Sequence, residues 1–227
     1  MQVAQIVERL HELADARAVA IWTKMYLSPE PYIGVNLTKL KVLAKELKKN
    51  HLLALELWES GIHDAKLLAT MIEEPKKVGA EQIERQMTQI YSCDLVDKYC
   101  TNVVAKTPFI LPNIIAWTQH PAEMYQRGGY TLLATLARSE TLTEDAFFTP
   151  YLQRIEAEIG AERNWVREAM NYALIAIGQR TAALHDTATA VAQRVGPIQI
   201  DYGDTSCKAP DALASLRAPR VIEQWAA

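Results

Sequence analysis

LLATMI at residues 67–72 and LLATLA at 132–137 are one small-and-aliphatic phrase written twice, and NYALIAIG at 171–178 has the same character. Each follows a polar start: His63-Asp64-Ala65, Arg127-Gly128-Gly129 and Arg167-Glu168-Ala169. The segment DLVDKYC fits between the first two, with Asp97 in the polar place. Positions 63, 97, 127 and 167 are separated by roughly 30–40 residues, the period of two-helix repeats. A helix pair of that size cannot bury its apolar face alone, so neighbours stack into an array with one concave face. Small residues such as Ala65, Gly128, Gly129 and Ala169 let the helices approach closely.

The rest of the chain agrees. Val3, Ile6, Val7, Leu10 and Leu13 share one helix face. A short helix follows over Arg17–Tyr26, and SPEPYIGV then interrupts it with two prolines and a glycine. Asn36 or Thr38 is placed to cap LTKLKVLAKELKKN. Further helices are expected near 51–60, 62–74, 80–91, 94–106, 110–119, 121–138, 144–159, 163–178 and 181–195, with Pro75, Pro108, Pro112, Pro121 and Gly160 at or near the junctions. Only PIQIDYG at 197–203 reads as strand-like. The fold expected is all-α, an α-α superhelix (solenoid) of HEAT-like repeats. Residues 1–227 form a single domain on this reading, with a partly irregular tail from about 196. An irregular helical bundle is the alternative.

Composition narrows the function classes. With 49% hydrophobic and 22% charged residues the chain is of ordinary globular type. A net charge of −3 means that nucleic-acid binding needs a local basic patch. The three cysteines show no zinc spacing with the five histidines, so no metal is expected, nor any other cofactor. Their sparse count points to reduced thiols and a cytoplasmic location. The charged N-terminus is not that of a signal peptide, and no apolar run reaches the ~18–20 residues of a membrane span.

The order and spacing of YIGVNLTKLKVLAKEL, ALELWESGIHDAKLLATMI, YSCDLVDKYC, KTPF, MYQRGGYTLLATLA and ERNWVREAMNYALIAIGQR, from about Tyr32 to Ala192, resemble the HEAT-like-repeat DNA alkylation-repair family of the AlkD glycosylase type. The tail IDYGDTSCKAPDA at 200–212 also looks like one branch of that family. The resemblance implies a protein that holds alkylated duplex DNA on its concave face and hydrolyses the N-glycosidic bond of cationic N3- or N7-alkylpurines. Such a base is already a good leaving group. The protein then has only to stabilise the cationic sugar with a fixed carboxylate and to orient a water.

Carried over by position, the family's catalytic carboxylate falls on Asp97 and its DNA-clamping arginine on Arg127. Cys93 and Asp94 are lesion-proximal. The two active-site tryptophans fall on Cys93 and Tyr172, so a cationic base meets a weaker aromatic surface. Trp165, two turns before Tyr172, is placed to compensate. Arg163 and Arg167 flank it, an arrangement that can line DNA. Lys39, Lys41, Lys45, Lys48 and Lys49 form a second basic run, which a solvated helix face explains equally. Trp22, Trp58 and Trp117 read as core. Two functions stand at this point: a DNA N-glycosylase, and a non-enzymatic helical scaffold for nucleic acid or protein. A monomer is expected.

Overall fold

In the computed structural model, residues 2–25, 30–139 and 143–223 are described. They are helical with irregular connections, and no strand occurs among them. They fall into two compact units, Met1–Ile110 with Gly203–Thr205, and Leu111–Tyr202 with Ser206–Ala227. Tyr26 and Ser28-Pro29, which the sequence reading placed at a helix end and in the following break, lie outside the described residues.

The first unit holds α1 (Val3–Glu12), α2 (Ala16–Met25), α3 (Leu37–Leu47), α4 (His51–Trp58), α5 (His63–Ile72), α6 (Ala80–Met87) and α7 (Cys93–Asn102). Asn36 caps α3, its side chain accepting from the Lys39 amide at 3.0 Å. α5 is the centre of this unit and packs against α3, α4 and α7. Nine of its ten residues are buried, His63, Asp64 and Lys66 among them. The Asp64 carboxylate accepts from the amides of Ile33 (2.7 Å), Gly34 (3.3 Å) and Val35 (2.7 Å), which satisfies an otherwise unpaired buried charge and fixes the chain entering α3. Gly203 belongs here as well. It has φ +62°, and a Cβ on it would lie 2.6 Å from the Lys24 carbonyl oxygen.

The second unit holds α8 (Ile110–Trp117, from Leu111), α9 (Glu123–Ala137), α10 (Thr149–Glu158), α11 (Asn164–Gly178), α12 (Ala182–Val195), α13 (Ala212–Leu216) and α14 (Pro219–Ile222). α9 and α11 pack along one another and are almost wholly buried. The helix expected over 144–159 is split: Asp145–Phe147 is a 3-10 turn and α10 starts at Thr149. Pro150 is the cause, since it lacks the amide an uninterrupted helix would use and suits a first turn. Gly129 makes the close approach expected of it, toward a helix: a Cβ there would fall 2.5 Å from the Thr118 amide nitrogen.

Trp58 and Trp117 are core residues, whereas Trp22 is half-buried against the rings of Tyr32 and His63. PIQIDYG forms no strand. It runs along α11, and its main-chain groups meet side chains of that helix instead of a partner strand. No described helix is long and apolar enough to cross a membrane.

Candidate nucleic-acid interface

In the first unit the site residues sit on α7. Cys93 faces inward and is buried. Asp94, a quarter exposed, receives the ring of the fully buried His63, with Nε2 2.8 Å from its Oδ2. Burial pushes the Asp94 carboxyl up, but the His63 hydrogen bond and charge outweigh it and hold the group below the usual carboxylate range. Asp97 lies one turn further on and is half-buried. Its carbonyl oxygen accepts from the Thr101 hydroxyl at 2.7 Å. Asn102 donates to the Thr70 hydroxyl at 3.0 Å and ties the end of α7 to α5.

Beside this helix is a groove of about 430 Å³ lined by Lys41, Lys45, Lys49, Lys98 and Lys106, with Ala44, Met71 and Asn102. The sequence placed the first three of these lysines on one solvated face. It did not show that Lys98 and Lys106, some fifty or more positions along the chain, meet them. Lys49 donates at 2.9 Å to the carbonyls of both Met71 and Glu73, at the C-terminal end of α5. Burial and the positive charge of Lys106 hold its ammonium below the usual lysine range, against the pull of Glu73 and Glu74. Five cationic side chains from separate elements thus line one groove.

In the second unit the residues sit on α9, α11 and the tail. Arg127 is buried; its Nη1 donates to Glu168 Oε2 at 2.7 Å and to the Trp165 carbonyl at 2.9 Å. The guanidinium also lies 5.8 Å from the Trp165 ring centre. The second carboxylate oxygen of Glu168 accepts from the Tyr202 hydroxyl at 2.5 Å, and the Tyr202 ring meets Trp165 edge-on. Burial, then the Glu168 hydrogen bond and charge, push the Tyr202 hydroxyl far above the usual phenol range.

Arg163 donates to the Pro121 carbonyl (2.7 Å) and the Gln126 side chain (2.5 Å). Arg167 donates to the carbonyls of Ile159, Gly160, Glu162 and Gln199. Tyr172 is 39% exposed. The structure thus gathers Arg127 and Trp165 into one cluster and adds Glu168 and Tyr202, which sequence reasoning missed. Glu168 stood in the polar triplet Arg167-Glu168-Ala169 but nothing linked it to Arg127. Tyr202 stood in the tail motif.

The profile of the DNA alkylation repair enzyme family matches residues 6–203, and the chain belongs to that family. Two relatives are uncharacterized proteins of Listeria. Lin0241 of Listeria innocua is 29% identical over 182 residues, 79% of each chain, and Lmo0209 of Listeria monocytogenes is 28% identical over 186 residues, again 79% of each. A solved structure is also similar, from a family described as related to the HEAT-like repeat DNA glycosylases with affinity for branched DNA structures. Its TM-score is 0.87 at 21% identity, over 99% of this chain and 95% of that one. The likeness gives this chain the HEAT-like all-helical fold.

Proposed function

We propose that the protein binds the phosphate backbone of DNA along the lysine groove of its first unit, as a DNA alkylation-repair protein. The observation that carries this reading is the convergence of Lys41, Lys45, Lys49, Lys98 and Lys106 on one groove, in a chain whose net charge is −3. Like charges gathered in one groove repel and so favour an anion between them, and Lys49 registers the repulsion, its ammonium being weakened by burial and by Lys106 against the pull of Glu73 and Glu74. A row of phosphates supplies that anion. Double-stranded DNA is the expected ligand, and the related solved protein's affinity for branched DNA adds junctions to the forms to be compared. Fluorescence anisotropy with a duplex and a four-way junction at low salt tests this. Absence of binding to both refutes it.

A second reading adds catalysis, and half-exposed Asp97 favours it, being next in the chain to groove-lining Lys98. Its carboxylate would stabilise the sugar cation as a cationic N3- or N7-alkylpurine leaves. Tyr172, Trp165, Arg163 and Arg167 would contribute to DNA contact, with Cys93 and Asp94 near the lesion. Release of 7-methylguanine from methylated duplex DNA tests it. Release no greater than that of Asp97→Asn removes the catalytic claim and leaves the binding claim standing.

A further inference from the structure

Residues 196–211 join α12 to α13, and four of them, Gln199, Asp201, Tyr202 and Pro210, meet one face of α11. The contacts follow the helix turn by turn, at 164, 167, 168 and 171, positions that share a face. Asn164 and Asp201 exchange two hydrogen bonds: the Asn164 amide donates to the Asp201 carbonyl at 2.8 Å, and the Asp201 amide donates to Asn164 Oδ1 at 2.7 Å. Arg167 Nη1 donates to the Gln199 carbonyl at 2.9 Å. Glu168 accepts from Tyr202, and Asn171 donates to the Pro210 carbonyl at 2.8 Å.

The two ends of this segment are anchored differently from its middle. Leu216 of α13 is fully buried and packs so tightly on Gly178 that a Cβ there would come within 2.7 Å of it. Between Gly196 and Asp211 no residue is buried. The middle is therefore held without core packing, by hydrogen bonds to α11 and, at Gly203 and Asp204, by contact with Lys24, whose Nζ lies 3.0 Å from Asp204 Oδ2, the condition under which a segment opens locally while its flanks stay folded. It carries three aspartates, Asp201, Asp204 and Asp211, against one lysine, Lys208. Its carbonyl oxygens occupy donors of Asn164, Arg167 and Asn171 that would otherwise suit phosphate oxygens.

We propose that residues 197–211 form a displaceable acidic strap that competes with nucleic acid for the polar face of α11. Closed, it masks Asn164, Asn171 and Nη1 of Arg167, and through Tyr202 it keeps Glu168 engaged beside Arg127. A polyanion that takes those donors must first displace the strap, so affinity is reduced by the fraction of molecules in which the strap is closed. Tyr202 is the latch: its hydroxyl is the one tail side chain among these contacts, the others being main-chain groups. This rests on the DNA-binding reading above and adds a regulated second contact to it.

The test uses the full chain and Tyr202→Phe, which keeps the ring against Trp165 and removes only the hydroxyl. Binding of a fluorescent 20-base-pair duplex is measured alongside amide hydrogen exchange over 197–211, with and without that duplex. Tyr202→Phe should bind about three- to tenfold more tightly, the effect of removing roughly one hydrogen bond from the competing closed state. In the unmodified chain, exchange over 199–204 should accelerate when DNA is added. Equal or weaker binding by Tyr202→Phe, or exchange that slows or stays unchanged on adding DNA, overturns the strap and leaves the lysine-groove reading intact. If neither protein binds the duplex at low salt, the DNA-binding reading itself falls and the strap with it.

Discussion

Arg127 Nη1 lies 2.7 Å from Glu168 Oε2, and the two side chains are only 5% and 8% exposed. This pair joins α9 to α11 inside the second unit. The residue that the family resemblance assigns to DNA clamping is thus already engaged within the protein. A buried ion pair contributes little net stability compared with an apolar pair, but removing one member strands the other charge.

Glu168→Ala is therefore expected to lower the unfolding free energy by about 3–5 kcal/mol, because the Arg127 guanidinium is left buried without its partner. Tyr202→Phe removes one hydrogen bond at the edge of the same cluster and should cost only about 1 kcal/mol. Urea titration followed by circular dichroism measures both. A Glu168→Ala loss no larger than that of Tyr202→Phe would show that the pair carries no special weight.

The His63–Asp94 contact gives a pH dependence with a definite sign. The folded Asp94 carboxyl lies below its ordinary value of 3.8. A group depressed in the folded state contributes stability that is present above the unfolded value and lost as pH falls through the folded one. The advantage of the parent chain over Asp94→Asn should therefore shrink as pH drops below about 4, the range of an unfolded aspartate. Denaturant midpoints of both proteins between pH 6 and pH 3 test this, and an advantage that grows in acid contradicts it.

Gly129 faces the backbone of α8 and the residue after it, not a mobile side chain. A methyl group there would sit 2.5 Å from the Thr118 nitrogen and 2.9 Å from the Trp117 carbonyl carbon. Gly129→Ala should destabilise the protein by roughly 1–3 kcal/mol, although alanine is the better helix former. A thermal midpoint that rises in this variant would mean that the two helices separate more easily than their packing implies.

The sequence made the helices legible because local physics decides them. The 3.6-residue period, the Asn36 cap and the prolines at the junctions act over a few residues, and the helices over 63–72, 123–137 and 164–178 fall where that pattern puts them. Gly129 was legible as a close approach, and the structure supplies Thr118 as what it approaches. The site was less legible because its partners are remote in the chain. The repeat aligns the polar starts at 127 and 167 but does not pair Arg127 with Glu168, nothing periodic links Glu168 to Tyr202 or Lys41 to Lys106, and a pairing across 34 or 41 residues leaves no local trace. PIQIDYG looked like a strand for the same reason: its alternating pattern is local, but its main-chain groups at 199 and 201 are met by the side chains of Arg167 and Asn164 on α11.

The salt dependence of DNA binding tests the central claim most directly. Affinity for a duplex and for a four-way junction is measured over a series of salt concentrations, for the parent chain and for a Lys41→Ala/Lys45→Ala variant. If the lysine groove holds phosphates, log Kobs falls linearly with log salt, and the double variant binds more weakly with a slope smaller by up to about 2, roughly one for each phosphate contact removed. No binding at low salt, or a slope that the two substitutions leave unchanged, contradicts the account.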